Sequence, residues 1–367
     1  MTRKTALIVN ETELYPFLLR PKEVQAIWGG DALALHYGKE ADPQAKTGES
    51  WECWDENAVE NGVLQGKTIA QLRELLGAAL LGDLDPRRIF PVLTKIIDAR
   101  ASLSVQVHPD DAYAQRVEHR ENGKTECWYI LQAQAGAELI LGWTRDTNRE
   151  EYLRRVADGS LGEILRRVPV QAGDAFYLPA GTLHAIGAGI ILFETQQASD
   201  LTYRIFDWNR LDAAGKPRAL HVQKAADVLD WKRCTTGPIG QIPYECEGLV
   251  RTALIADPRF VVERIALQPQ ARYLATDGRP LVLMALENAA ELECQGAATR
   301  LAPYQTAVIP ARAEHVRLGG AGDVLCVQTS GGQTLQRRLQ SCGVSAQAAT
   351  GFMRQFDARP SMETSSS

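Results

Sequence analysis

The sequence predicts a mainly β protein built from two jelly-roll β-sandwich units with short helical insertions. Three observations lead there. Short apolar runs rich in Val, Ile, Leu and Tyr, broken by Gly, Pro and Asp, fill most of the chain, as many short strands joined by turns would. An internal echo sets YLPAGTLHAIG beside VIPARAEHVRL and aligns Pro179 with Pro310 and His184 with His315, the mark of two units descended from one. Two stretches alone carry helical spacing.

Taken in order, the strand runs of the first part are SLSVQV (102–107), ECWYILQA (126–133), AELILGW (137–143), DAFYLP (174–179) and GIILFETQ (189–196). The last third adds VVERIAL (261–267), PLVLMAL (280–286), QTAVIPA (305–311) and DVLCVQT (323–329). The first helical insertion is expected at about 66–82, where Ile69, Leu72, Leu75, Leu76 and Leu80 share a face. The second is expected at about 149–168. There Leu153 and Val156 precede a Gly159 break, and Leu161, Ile164, Leu165 and Val168 resume the period. LHVQKAADVLDW (220–231) reads as a segment crossing to the second β unit, whose strands begin near 248.

Composition excludes several classes. Charged residues are 23% and hydrophobic residues 45%, ordinary for a soluble globular chain. The net charge is −5, with basic and acidic residues interspersed, so the footprint of a nucleic-acid binder is missing. The apolar run Ala6–Val9 is shorter than a signal peptide needs, and no stretch approaches transmembrane length. Seven scattered cysteines without a CxxC pair argue against a disulfide framework and a thiolate zinc site. No nucleic acid, no membrane and a cytoplasmic location are expected.

His108 and His184 lie at the ends of strand patterns beside turn residues. Gly173, Pro179, Gly181 and His184 match G-x5-P-x-G-x2-H, and so resemble the second motif of the cupin family. That family's first motif supplies HxH and then a Glu; here QVH (Gln106, His108) stands in its place, with Glu126 following in GKTECWYIL. Period-two alternation puts Gln106 and His108 on one face, and Lys124 and Glu126 on one face. Two imidazoles, a carboxylate and an amide oxygen form a nitrogen/oxygen set that suits Zn²⁺ and leaves room for water or a substrate oxygen.

SVQVHPDD, GKTECWYIL, GDAFYLPAGTLHAIGAG and ILFETQQASDLTYRIFDWNR together resemble the type I mannose-6-phosphate isomerase family in its shorter bacterial form. IWGG (27–30), GESWECW (48–54) and PVLTKIIDA (91–99) fit the same family. The resemblance implies one zinc ion per chain held by Gln106, His108, Glu126 and His184, although some short bacterial members lack the glutamine. It implies a catalytic Arg204, further catalytic residues at Lys124 and Glu194, and substrate contacts at Lys95 and Ser104. It also implies a cupin-type catalytic domain over 1–225 and a second, degenerate cupin-like domain over 226–355; the tail over 356–367 is too polar and low in complexity to fold and is expected to be disordered. The substrate would be a phosphosugar, mannose 6-phosphate, interconverted with fructose 6-phosphate.

Each residue also has an ordinary reading. His184 alone would be a structural turn histidine, Gln106 a strand hydrogen-bonder, and Glu126 a solvated loop acid. Burial beside CWYIL would make an unpaired Glu126 carboxylate costly, and a metal removes that cost. Arg204 could face solvent. Lys95 sits in the apolar run IFPVLTKII, where it needs a counter-charge: a substrate phosphate, or an internal ion pair. Ser104 would be an ordinary strand hydroxyl. His36, His119 and His221 are read as structural, and His315 has no partner in PLVLMALEN, so the second unit is expected to hold no metal. The proton carrier is open among Glu194, Lys124 and a water. A redox cupin, such as a dioxygenase, and a non-catalytic sugar-phosphate sensor are the competing readings.

Overall fold

The computed structural model describes residues 14–212, 215–329 and 331–357. The apolar run at 6–9 lies outside them, as do residues 358–367 of the tail expected over 356–367; Phe356, expected in that tail, is instead buried at the end of a 3₁₀ turn, Arg354–Phe356. The chain forms two compact units, each discontinuous in sequence. One comprises 22–51, 92–241 and 346–367; the other comprises 1–21, 52–91 and 242–345. A single cut near 225 therefore differs from the observed division. Residues 52–91 belong with the C-terminal strands, and the crossing segment 226–241 stays with the first unit.

In the unit that begins at Lys22, eleven strands matter: β1 (Lys22–Gly30), β2 (Thr47–Cys53), β3 (Val92–Ala99), β4 (Val105–Val107), β5 (Glu126–Ala133), β6 (Glu138–Trp143), β7 (Leu165–Pro169), β8 (Ala175–Leu178), β9 (His184–Ile186), β10 (Ile190–Gln197) and β11 (Tyr203–Phe206). They form a six-stranded sheet, β1-β2-β3-β10-β5-β8, and a five-stranded sheet, β11-β4-β9-β6-β7. Non-consecutive neighbours in both sheets give the jelly-roll weave.

Alternation decides what each strand offers inward. Ile97, Ala99, Trp128, Ile130, Phe176, Leu178, Ile190 and Leu192 of the larger sheet meet Leu139, Leu141 and Ile186 of the smaller one in a shared core. The opposite face of the smaller sheet, with Val105, Val107, Ile140, Ala185, Tyr203 and Ile205, is covered by α1 (Arg149–Asp158) and α2 (Val222–Val228) through Tyr152, Ala225 and Ala226. Each large aliphatic side chain fully buried in this way stabilises by about 1.5–3 kcal/mol. At one end the inward positions turn polar. After Ile190 and Leu192 come Glu194 and Gln196; before Ile97 comes Lys95; before Trp128 comes Glu126.

The helical insertion expected at 149–168 is shorter in fact. Gly159 (φ 77°) ends α1, a 3₁₀ turn follows over Leu161–Ile164, and Leu165 and Val168 enter β7, paired with Trp143 and Leu139. The sheet edge there overrides the helical period. The 66–82 insertion forms two helices, Ile69–Leu76 and Ala78–Leu81, split at Gly77 (φ 49°), the first opened by a Thr68/Gln71 capping box.

The second unit is also a sandwich. Seven strands run in the order Phe17–Leu19, Thr306–Ile309, Leu281–Ala285, Gly322–Gln328, Val261–Leu267, Leu249–Ala256, Ile242–Cys246. They face four more: Arg272–Ala275, His315–Gly320, Ala290–Cys294 and Ala297–Leu301. Leu283, Ile265, Leu292, Leu318 and Val316 lie in the core between them. The echo in the sequence is structural: Pro179 and Pro310 each follow a strand, and His184 and His315 each start the next. His315 is exposed, whereas His184 is buried. Cysteine spacing had argued against disulfides, yet Cys246 and Cys342 are joined across 96 residues of sequence. Tertiary proximity, which spacing does not encode, brings their Cα atoms to 5.3 Å. Among the described residues no helix is long and apolar enough to cross a membrane.

Candidate active site

The polar end of the first sandwich gathers side chains from both sheets. In the six-stranded sheet, Leu93, Gln196, Glu126 and Leu178 form one cross-strand row, and Lys95, Glu194, Trp128 and Phe176 form the next. Opposite them, Arg204, Gln106 and His184 are register partners across β11, β4 and β9. Their sequence neighbours Val105, Val107, Tyr203 and Ile205 face the helices, so these three point into the sandwich.

Two glycines shape the local turns. Gly181 (φ 86°) in the turn before His184 lies so close to the backbone that a Cβ there would meet Val228 O at 2.9 Å, and its N–H donates to His108 O at 2.9 Å. The motif glycine thus ties the turn carrying one histidine to the strand end carrying the other. A Cβ on Gly123 would come within 2.3 Å of the Asp110 backbone. This is why a glycine precedes Lys124, whose N–H donates to Pro109 O at 2.9 Å.

His108, Glu126 and His184 are buried, and their ligand atoms lie within 4.8 Å of one another. Glu126 Oε1 is 3.1 Å from His184 Nε2, and Oε2 is 3.5 Å from His108 Nε2 and 2.7 Å from Lys124 Nζ. Lys124 Nζ is also 3.3 Å from His108 Nε2. Each histidine turns its Nδ1 to a backbone carbonyl, Leu201 O at 2.7 Å for His108 and Thr182 O at 2.8 Å for His184. A carbonyl only accepts, so Nδ1 carries the hydrogen and the neutral ring keeps a bare lone pair on Nε2. Burial, with Lys124 beside it, holds His108 well below the usual histidine value despite Glu126, which keeps it neutral. Burial would raise the Glu126 carboxyl, but the Lys124 ammonium 2.7 Å away outweighs it and holds the carboxyl well below the carboxylate range.

This donor set fits a metal ion. Two inward Nε2 lone pairs converge with a buried carboxylate that the Lys124 ammonium keeps charged. Gln106 adjoins the set differently. Its Nε2 faces His184 Nε2 at 3.3 Å, while its Oε1 accepts from Ser104 Oγ at 3.4 Å. A half-turn of the amide would exchange the two atoms and offer oxygen to the centre.

Lys95 and Glu194 lie on the neighbouring row. Lys95 Nζ is 3.1 Å from Glu49 Oε2 and 3.4 Å from Glu194 Oε1, and stands 5.0 Å from the centre of the Trp51 ring. Burial opposes the lysine's charge, but Glu49 and Glu194 outweigh it and hold the ammonium protonated. Glu49 in turn is kept below the usual range against its burial, chiefly by Lys95. Two internal carboxylates therefore supply the counter-charge that Lys95 requires. Glu194 Oε2 accepts from Trp128 Nε1 at 2.9 Å, and Oε1 is buried without a hydrogen bond. Arg204 is half-buried. Its Nη1 donates to Ala219 O at 3.1 Å, while Nε has no hydrogen-bond partner.

The nine residues singled out in the sequence all lie in this one unit. Glu49, Trp51 and Trp128 were missed as functional neighbours. Alternation in GESWECW and ECWYIL puts Glu49 and Trp51 on one face and Trp128 on the face of Glu126, but nothing in spacing alone links those faces to Lys95 or Glu194.

A jelly-roll sandwich with a buried His/Glu/His centre flanked by Lys and Glu defines a cupin-type enzyme with a candidate metal site. Residues 17–135 match the family model described as phosphomannose isomerase type I, catalytic domain. The mannose-6-phosphate isomerase of Streptococcus mutans is 41% identical over 277 residues, 71% of this chain and 83% of its own. That of Bacillus subtilis (strain 168) is 47% identical over 219 residues, 59% of this chain and 68% of its own. A solved Bacillus subtilis mannose 6-phosphate isomerase superposes with a TM-score of 0.79 at 32% identity, covering 85% of this chain and 99% of its own. The apo enzyme of Salmonella typhimurium, at 17% identity and a TM-score of 0.67, covers 86% and 99% and shares the fold. The chain belongs to the mannose-6-phosphate isomerase family, type I.

Proposed function

We propose that the chain is a zinc-dependent aldose–ketose isomerase that interconverts mannose 6-phosphate and fructose 6-phosphate. One observation carries this most: buried His108, Glu126 and His184 converge with Nε2 lone pairs bare, in a chain of this family. His108, Glu126 and His184 hold the ion, with Gln106 joining through its amide oxygen. Zinc bound there would supply Lewis-acid polarisation of the substrate oxygens.

The isomerisation moves one proton between C2 and C1 and another between the two oxygens. Glu194 and Lys124 are the carriers. Glu194 offers an Oε1 free of hydrogen bonds, held in place by Trp128 at its other oxygen. Lys124 stands beside the ligands Glu126 and His108, at the oxygen end of the substrate. Arg204 projects from the register position beside Gln106 with Nε unpaired, and it stabilises the oxyanion that develops on the enediolate. Ser104, two residues before Gln106 on the same face, donates to substrate oxygens at the phosphate end. Lys95 keeps Glu49 ionised. A phosphosugar is charged and belongs to the cytoplasmic pool, which supports that location.

A coupled assay tests the reading. Zinc-loaded protein given mannose 6-phosphate should form fructose 6-phosphate. Binding without turnover would favour a sensor, and bound iron with oxygen consumption would favour a redox cupin.

A further inference from the structure

We propose that His221 is the positioning residue for Arg204, completing the free edge of the strand that carries it; this rests on the role given to Arg204 above. β11 is the edge strand of the five-stranded sheet, paired on one side with β4. Its other side has no strand, so the Arg204 N–H and C=O there need partners from elsewhere. His221 supplies both. Its ring Nδ1 accepts from the Arg204 N–H at 3.2 Å, and its own N–H donates to Arg204 O at 2.7 Å. Two residues earlier, Ala219 O accepts from the Arg204 guanidinium at 3.1 Å. One short segment therefore fixes both the backbone and the side chain of Arg204, while Nε is buried without a hydrogen-bond partner.

Nδ1 can accept only when it is unprotonated, so the ring works as the neutral Nε2–H tautomer. Its surroundings maintain that state. Burial, Arg204 on β11 and Lys224 on α2 disfavour the cation, while Glu118 on the preceding turn opposes them. Lys224 and Tyr203 both bond Glu118 Oε1 at 2.7 Å, which diverts that carboxylate from the imidazole. The Tyr203 ring lies 6.2 Å from the His221 ring. None of the described contacts of His221 reaches His108, Glu126 or His184.

The test compares His221→Leu with His221→Asn in the full, zinc-loaded chain. Asn places Oδ1 where His has Nδ1 and preserves the acceptor. The Leu variant should lose roughly ten-fold or more in kcat, the scale of one lost positioning bond, with KM and zinc content unchanged. The Asn variant should recover most of it. In an Arg204→Ala background, His221→Leu should add no further loss, since both act through one group. Hydrogen exchange provides a readout independent of turnover: protection of the Arg204 amide should fall in the Leu variant and persist in the Asn variant. Wild-type kcat in the Leu variant, an independent further loss in the Arg204→Ala background, or unchanged Arg204 amide protection would each overturn the proposal. A wild-type chain that fails to turn over mannose 6-phosphate would instead remove the proposed function, leaving the exchange experiment to decide the contact.

Discussion

Replacing Glu126 with Gln keeps the volume of the side chain and removes its charge, which makes it the sharpest perturbation of the centre. In the metal-free protein Lys124 Nζ lies 2.7 Å from Glu126 Oε2, and both side chains are buried. At an effective dielectric near 20 their attraction is about 6 kcal/mol. Relaxation reduces what is lost, and removing one partner of a buried pair typically destabilises by about 3–5 kcal/mol. In a unit of this size that lowers the melting midpoint by about 6–20 °C. The measurements are melting of the metal-free proteins and zinc content after loading. A Gln variant that melts with the wild type and still binds one equivalent of zinc as tightly would refute the reasoning, since the charge would then be neither structural nor ligating.

Lys95→Met leaves Glu49 and Glu194 buried without their cation, and should destabilise the chain by about 3–5 kcal/mol at neutral pH. The deficit should shrink in acid, where Glu49 takes up a proton; a pH-independent deficit in melting experiments would contradict the ion-pair account. Metal-free wild type should lose stability in two stages on acidification. His108 is held below its ordinary 6.5, so the unfolded chain takes up that proton first and stability falls as pH drops below about 6.5. Glu126 is held below its ordinary 4.5; its contribution is present above that value and is lost as pH falls through the depressed one. A midpoint that stays flat from neutrality down to about pH 4 would refute the His108 assignment, and one that stays flat on further acidification would refute that of Glu126. Gln106→Leu should weaken zinc binding by about ten- to hundred-fold, the range for removing a group that tunes a metal centre. Unchanged affinity in a competition titration would confine Gln106 to its bond with Ser104.

Local pattern carried much of this molecule. Strands over Glu126–Ala133, Ile190–Gln197 and Val261–Leu267 coincide with apolar runs visible in the sequence, because alternation and turn residues are local properties. The motif around His184 was legible for the same reason: Gly181 adopts a left-handed conformation against a neighbouring backbone. What escaped depends on pairing across the fold. Leu165 and Val168 fit a helical period, yet the open edge beside Glu138–Trp143 recruits them as a strand. Lys95 announced a need for a counter-charge, but only the register of β3 against β10, together with the approach of Glu49, identifies the partners. His221 looked structural because its acceptor role exists only once β11 becomes an edge. The interleaving of 52–91 with the C-terminal strands leaves no local trace at all.

The central claim is that His108, Glu126 and His184 hold a zinc ion on which isomerisation depends. Its most direct measurement is turnover of mannose 6-phosphate to fructose 6-phosphate before chelation, after it, and after zinc is restored, with metal content followed in parallel. The account predicts activity that disappears with the metal and returns when zinc refills a single site per chain. Full turnover by demonstrably metal-free protein, or none by the fully zinc-loaded one, would contradict it.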